Sequence, residues 1–522
     1  MLNYIWLALL SIGIASAVIY DLSDYRENKY MNRIELPAYF VRSGESEGKG
    51  ELIIPKDTYS KFYRAEIEKD IKNKIDYKPA KGKNNYNIKI TIDEDDPELW
   101  KEIAAANGDK IDITGKLVFN NVKVSDTAEV YIRLEEVSFL KLKNVTNAAI
   151  DYASTAVNIS LGLIGIMAMW LGLMKIAEEA GLIRKIAILI KPLTKFLFPE
   201  VPPDHPAIGS IIMNISANML GLGNAATPFG LKAMEELDAL NDKKGTATNA
   251  MCMFLAINTA GLTLIPATAI AVRAAAGSNE PAIIIGTSFF GALCATIAGI
   301  TTAKVFEYVS KGNADLKSFI KPLFFFLLLI GMTVILFLNG LSPEAIKNTV
   351  TIISTAAIPL LILTFVGYGV FKKVKIYEVF VEGAKEGFKI AVKIIPYLVA
   401  MLVAIGIFRA GGALDLFVKI LSPVTDLIGF PAEALPMALM RPLSGSGSLG
   451  IMSEIITVHG PDSFIGILVS TIMGSTETTF YVLALYFGSV NIKRARHAVI
   501  AGIAADIAGI LGALFIVKLL FG

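Results

Sequence analysis

The sequence predicts an all-α polytopic membrane protein with inverted-topology repeats, re-entrant hairpins and broken helices, plus a small β-rich soluble insert. Three observations predict it. The 522 residues are 54% hydrophobic and 18% charged, with a mean hydropathy of +0.56, which is too apolar for a soluble protein of this size. Two Gly/Ser/Asn-rich stretches interrupt apolar sequence at matching places in the two halves: NISANMLGLGNAATP (Asn214–Pro228) and RPLSGSGSLG (Arg441–Gly450). Such residues at membrane depth are tolerated where backbone is packed in protein or lines a cavity. Finally, residues 21–150 are charged and carry short period-two runs, the pattern of half-buried strands.

The first apolar run, Leu2 to Tyr20, is open to two readings. Ala15-Ser16-Ala17 resembles a signal-peptide cleavage site, but no Lys or Arg precedes the run, as a signal peptide requires. It is therefore read as a transmembrane helix, the first of repeat one (1–20). The insert, 21–150, offers strands in ELIIP (51–55), NYNIKITI (85–92), KIDITGKLVF (110–119) and AEVYIRLEEVSFLKL (128–142). Helices are expected over 57–75 and 97–107, the latter with Asp96 as cap, Pro97 in its first turn and Gly108 as its stop. The insert is thus a small α+β or β-barrel domain, OB-like at most, acting as an accessory or a ligand-capturing module.

The remaining sequence divides into 151–306, a linker with its own helix (307–347), and 348–522. Runs at 155–177, 281–304, 318–338, 348–371, 387–409 and 497–519 are long enough to span a bilayer. Runs 246–272 and 463–488 are broken by Asn258-Thr259 and Pro266, and by Gly474 to Thr479. Runs 206–235 and 432–458 hold the Gly-rich stretches and suit hairpins that enter and leave on one side. Helices 2–20 and 155–177 align in order with 348–371 and 387–409. A small-residue turn, an amphipathic segment with Pro192 or Pro423, a hairpin, a broken helix and a last helix follow in each half. Four crossings per repeat plus helix 318–338 make an odd number, so the second repeat is expected to be inverted. Placing the N-terminus in the cytoplasm puts Arg184, Lys185, Lys243, Lys244, Lys372, Lys373, Lys493 and Arg494 inside and leaves Arg273, Lys347 and Lys419 outside, as the positive-inside rule asks. Residues 21–150 then face outward.

A net charge of +2 implies no nucleic-acid partner. Cys252 and Cys294 lie in apolar runs and read as small buried hydrophobes. His205, His459 and His497 have no ligand spacing, so no metal or cofactor is expected. The candidate substrate-binding residues are those that are expensive in hydrocarbon. In the first hairpin these are Asn214, Asn218 and Asn224, with Gly221 and Gly223 baring backbone amides; their alternative is helix-packing glue. In the second they are Arg441, Ser444, Ser446 and Ser448, a nest for a polar or anionic group; Arg441 could instead snorkel to an interface. Asn258 and Thr259 in the first broken helix match Ser475, Thr476, Glu477 and Thr478 in the second. Glu477 is the strongest single candidate, to hold substrate, Na⁺ or H⁺; its alternative is an ion pair with Arg441. Asp506 is a second coupling-ion candidate.

At these motifs the chain resembles a fusion of the spore maturation proteins A and B. The A-type part is carried by MNISANMLGLGNAATPFGLKAMEEL and FLAINTAGLTLIPATAIAVRAAAG. The B-type part is carried by VFVEGAKEGFKIAVKIIPYLVAMLVAIGIFR, RPLSGSGSLGIMSE, GPDSFIG and GSTETTFYVLALYFGSV. The resemblance places it among nucleoside-recognition "Gate" domains, related to concentrative nucleoside transporters and to the membrane part of the bacterial ferrous iron permease. It implies an inner-membrane, transport-like protein and leaves the solute open, while the insert departs from the A-type pattern. The sequence-level expectation is a secondary transporter of a small polar solute, nucleoside-, amino-acid- or carboxylate-like. No enzyme constellation is present, the coupling ion is H⁺ or Na⁺, the partners are the bilayer and the solute, and a homo-oligomer is compatible. The competing class is a non-transporting membrane assembly or envelope maturation protein.

Overall fold

The computed structural model describes residues 2–42, 48–80, 85–106, 112–119, 127–221, 223–310 and 343–522. The expected crossing at 318–338 lies outside the described residues. The chain forms two compact units: Leu9–Ala149 with Ile407–Leu416, and Met1–Ala8 with Ile150–Gly406 and Phe417–Gly522.

The first unit corrects the all-α expectation, because it contains a closed β-barrel. Strands β1 (Leu36–Arg42), β2 (Lys49–Ile54), β3 (Ile71–Pro79), β4 (Asn85–Thr91), β5 (Asp112–Phe119) and β6 (Thr127–Leu134) pair in chain order. All neighbours are antiparallel, and β6 returns to β1 with Leu36 opposite Ile132. Closure leaves no free edge. This six-strand meander also corrects the OB-like reading, since an OB-fold is a five-stranded Greek-key barrel. Strict alternation sends Leu36, Phe40, Leu52, Ile75, Ile90 and Ile132 inward, while Lys72, Lys74, Lys89 and Lys116 point out. Trp100 and Ile103 of a short helix (Glu98–Ala106) join that core.

Two boundaries moved for identifiable reasons. The expected helix over 57–75 stops at Tyr63, because Arg64 adopts a left-handed φ of 55°. The alternation Ile71, Asn73, Ile75 then builds β3. Asp96 does not cap the helix; its carboxylate accepts from Asp93 N–H at 2.8 Å and Asn73 Nδ2 at 2.5 Å. The run 128–142 is strand only to Leu134, and a helix begins at Leu140. Asp21 accepts from the Lys141 and Leu142 amides at 2.8 and 2.9 Å, satisfying two of that helix's free N–H groups.

The helices are α1 (Leu2–Glu27), α2 (Lys56–Tyr63), α3 (Glu98–Ala106), α4 (Leu140–Glu179), α5 (Leu182–Leu197), α6 (Pro206–Met219), α7 (Gly223–Ala239), α8 (Asn249–Ala260), α9 (Ala267–Ala275), α10 (Ile284–Ser310), α11 (Pro343–Phe371), α12 (Ile376–Ala410), α13 (Ala413–Thr425), α14 (Leu435–Met440), α15 (Gly445–His459), α16 (Phe464–Ser475), α17 (Thr479–Ser489) and α18 (Ala498–Phe521). Among the described residues, six spans are long and apolar enough to cross a membrane: Trp6–Glu27, Leu140–Glu179, Pro281–Val309, Ile376–Ala410, Phe464–Ser489 and Ala498–Phe521. The two Gly-rich stretches form helix pairs, α6 with α7 and α14 with α15. The second unit is centred on α10 and α18, whose small residues allow close approach. A Cβ on Gly299 would sit 3.2 Å from Ala505 Cβ, and one on Gly512 would sit 3.0 Å from Cys294 Sγ. Cys252 and Cys294 are buried thiols.

The barrel core yields a direct test. Leu52→Ala removes a fully buried side chain and should destabilise the barrel by about 2–5 kcal/mol. Exposed Lys72→Ala should change it by less than about 0.5 kcal/mol. Urea unfolding of the full chain carrying Trp6→Phe and Trp170→Phe, followed by fluorescence of the remaining Trp100, measures both; equal effects would contradict the barrel interior described here.

Candidate functional site

Two helices of the second unit are interrupted, and the interruptions meet. The first helix stops at Ala260, turns through Gly261 at φ 60°, and resumes at Ala267 after Pro266. The second stops at Ser475, runs extended through Thr476 and Thr478, and resumes at Thr479. Glu477 N–H donates to the Thr259 carbonyl at 2.9 Å. Gly261 is required there, since a Cβ would lie 2.5 Å from Glu477 Cγ in a backbone conformation that favours glycine. Each hairpin turn is tied to the break in its own half. Leu264 N–H donates to Met219 O at 2.9 Å, and Phe480 N–H donates to Pro442 O at 3.0 Å. Backbone groups freed by the breaks are thereby partnered across elements, as they must be in an apolar surrounding.

A cavity of about 370 Å³ opens where these turns converge. Its polar lining is Asn218, Thr263, Thr268, Arg441, Ser446, Thr476 and Glu477, and Met167, Leu171, Ile394 and Leu449 supply apolar walls. Arg441 is buried, its side chain 4% exposed, while that of Glu477 is 49% exposed; Nη2 lies 3.6 Å from Oε2. Arg441 also donates to the Thr476 carbonyl. Its Nε and the Thr476 hydroxyl are buried and have no hydrogen-bond partner among the described residues. Ser444 caps α15 by accepting from Gly447 N–H at 3.0 Å. Gly445 and Ser446, the first two residues of that helix, line the cavity, where N–H groups have no intrahelical acceptor. The lining thus offers a cation, a carboxylate, an amide, hydroxyls and a helix N-terminus.

Of the other sequence candidates, Asn258 lies next to the cavity lining, with Asn218 Nδ2 donating to its Oδ1 at 3.0 Å. Asn214 is fully buried and spans the first hairpin, its Nδ2 2.8 Å from Ala226 O and 3.4 Å from Tyr486 OH. Thr259, Ser448 and Ser475 are fully buried and return their hydroxyls to helix carbonyls at 3.1, 2.7 and 2.5 Å. Thr478 is buried beside Gly445. Asp506 is buried in α18 and accepts from Thr479 Oγ1 at 2.6 Å. The side chain of Asn224 lies outside the described residues.

Sequence reasoning missed three features. Thr263, Thr268 and Gly474 line the cavity; their position beside Pro266 and Glu477 was the available signal. Glu454 is buried in α15 within reach of Tyr152 OH at 3.4 Å. Arg273, expected as an outer loop charge, is instead a fully buried residue of α9. It donates to Pro461 O and to Asp462 Oδ1, the latter at 2.8 Å. Asp462 also accepts from Ser278 Oγ at 2.5 Å and Asn279 N–H at 2.8 Å. This clasp joins α9 to the GPDSF loop that precedes α16. A wider depression of about 720 Å³ lies on the barrel between 67–72 and 93–97. Its walls carry the exposed Lys69–Asp95 pair at 2.6 Å, so it is surface relief.

The chain matches the family described as Nucleoside recognition (Gate) twice, over residues 160–275 and 391–493. The matched segments contain both interruptions and all the polar residues of the cavity lining. Spore maturation protein B of Bacillus subtilis (strain 168) is 53% identical over 170 residues, 33% of this chain and 96% of that protein. Spore maturation protein A of the same organism is 46% identical over 170 residues, 33% of this chain and 87% of that protein. No solved structure matches the chain.

The clasp carries a pH signature. Partial burial opposes ionisation of Asp462, but hydrogen bonds from Ser278 and Asn279 and the charge of Arg273 outweigh it and hold the carboxyl below its usual range. A lowered folded-state pKa gives stability that is present above the unfolded value of about 4 and lost as pH falls below it. Wild type should therefore melt higher than Asp462→Asn near neutrality, with the gap closing below about pH 4. A gap that is constant with pH would contradict the assignment.

Proposed function

The chain belongs to the family of the spore maturation proteins A and B; it matches Nucleoside recognition (Gate) twice and has six spans long and apolar enough to cross a membrane among the described residues, and on that premise we propose that it is a secondary transporter of a small polar solute. The observation that carries this reading is the cavity between the two helix interruptions, with Arg441 and Glu477 3.6 Å apart at its wall. Its volume, about 370 Å³, falls in the range of small-molecule sites. Paired interruptions in the two halves of a chain are where transporters place their solute.

Binding follows from the chemistry of the lining. Arg441 takes a carboxylate or carbonyl oxygen of the solute, and the amides of Gly445 and Ser446 reinforce it. Glu477 takes a solute N–H or hydroxyl, and Asn218, held by Asn258, reads a second polar edge. A solute that is acceptor at one end and donor at the other replaces the Arg441–Glu477 contact with two complementary ones. Amino acids, nucleosides and small hydroxy-carboxylates share that layout. Movement of the hairpins against the broken helices would expose the cavity to one side and then the other. We place the protein in the cytoplasmic membrane, N-terminus inside and barrel outside.

Uptake by proteoliposomes of radiolabelled nucleosides, amino acids and small carboxylates tests the reading. Glu477→Gln should weaken uptake of the accepted solute about 10- to 100-fold, the equivalent of losing a charge-assisted hydrogen bond of about 1.5–3 kcal/mol. If no solute moves and Glu477→Gln leaves cellular function intact, the alternative holds: a non-transporting membrane assembly or envelope maturation protein whose barrel recruits partners.

A further inference from the structure

A second polar cluster lies against the same helix breaks, outside the cavity lining. Asp506 in α18 is 2% exposed. Its Oδ2 accepts from Thr479 Oγ1 at 2.6 Å, and its Oδ1 has no hydrogen-bond partner among the described residues. Gly502 and Gly509, on the face of α18 that carries Asp506, let the breaks approach. A Cβ on Gly502 would lie 2.6 Å from Thr479 Cγ2 and 3.5 Å from Thr259 Oγ1. One on Gly509 would meet Thr476, whose buried Oγ1 is also without a partner. Thr259 donates its hydroxyl proton to Ala256 O at 3.1 Å, which leaves oxygen lone pairs for another group.

The charges acting on Asp506 are those of Arg441 and Glu477. These two are opposite in sign and 3.6 Å apart, so each answers the other. A carboxylate this deep is costly unless a cation or a proton neutralises it. The donors are all oxygen, with one formal negative charge and neutral hydroxyls. Such a set suits a hard cation, and the single charge suits a monovalent one.

We propose that Asp506, with Thr479, Thr476 and Thr259, forms a sodium-binding site that holds the two helix breaks together. Ion binding is independent of the solute; that it couples to transport rests on the reading of the cavity given above. Because Thr259 and Thr479 come from opposite halves and Thr476 also lines the cavity, occupancy of this site would fix the geometry at Glu477.

The test is equilibrium binding of radioactive sodium to the purified full-length protein in nanodiscs at neutral pH, with no solute present. Saturable binding is expected. Asp506→Asn should weaken it at least about tenfold, the least that losing even a second-shell partner costs at metal sites, while Lys72→Ala on the exposed face of the barrel should leave it within about twofold. Should Asp506→Asn fail to fold, Thr479→Val must lose binding and Thr479→Ser retain it. No saturable sodium binding by wild type, or binding unchanged in Asp506→Asn or Thr479→Val, overturns the proposal. Neither outcome bears on solute uptake, so the two readings fail separately.

Discussion

The hydrogen bond from Glu477 N–H to Thr259 O is the contact on which the rest of the membrane unit depends. A helix broken in an apolar environment leaves several amides and carbonyls without partners, each costing several kcal/mol if unsatisfied. Here the two breaks are placed against one another, and each also donates a bond to its own hairpin turn, through the Leu264 and Phe480 amides. The arrangement stabilises irregular backbone at depth and fixes what lies beside it. Gly261 follows from it, because a side chain there would collide with Glu477. So does the position of Arg441, whose guanidinium donates to the Thr476 carbonyl exposed by the second break.

From that constraint the polar chemistry divides in two. Glu477 and Ser446 face the cavity, whereas Thr259, Thr479 and Asp506 are buried away from it. Neighbouring positions, from the extended Thr476 to Thr479 at the start of α17, thus serve both clusters. A change in backbone geometry over these four residues would alter both, which is how the proposed solute and ion sites would be linked. Small residues of α10 and α18 give the close packing that this requires.

Much of the membrane architecture was legible because long apolar runs, and polar residues breaking them, are unambiguous at this length scale. The breaks at Asn258–Pro266 and Gly474–Thr479 and both hairpins could be read from composition. The barrel was only half legible. Strands β2, β4, β5 and β6 show alternation, but β1 (LPAYFVR) contains a Pro and is apolar at nearly every position, and β3 (IKNKIDYKP) follows a sequence that reads equally as helix. Closure of six strands depends on long-range pairing of β1 with β6, which no local pattern encodes. Within the site, residue type pointed to Asn218, Arg441, Ser446 and Glu477, yet could not separate them from Asn214, Ser448 and Ser475. Those three have the same polarity but point along their own helices or across a hairpin, a matter of rotation about the helix axis by a residue or two. Arg273 was misplaced for a related reason. Its acidic partner lies 189 positions away, so a buried clasp looked like a loop charge.

The central claim is that the interruptions line a polar, water-reachable cavity rather than a packed core. Single cysteines at Ser446 and Ser448 test it most directly, since the first lines the cavity and the second, two residues on, is fully buried. In sealed vesicles treated with a membrane-impermeant thiol reagent from either side in turn, Ser446→Cys should label from at least one side and Ser448→Cys from neither. Equal reactivity at the two positions, or no labelling of Ser446→Cys from either side, would contradict the account.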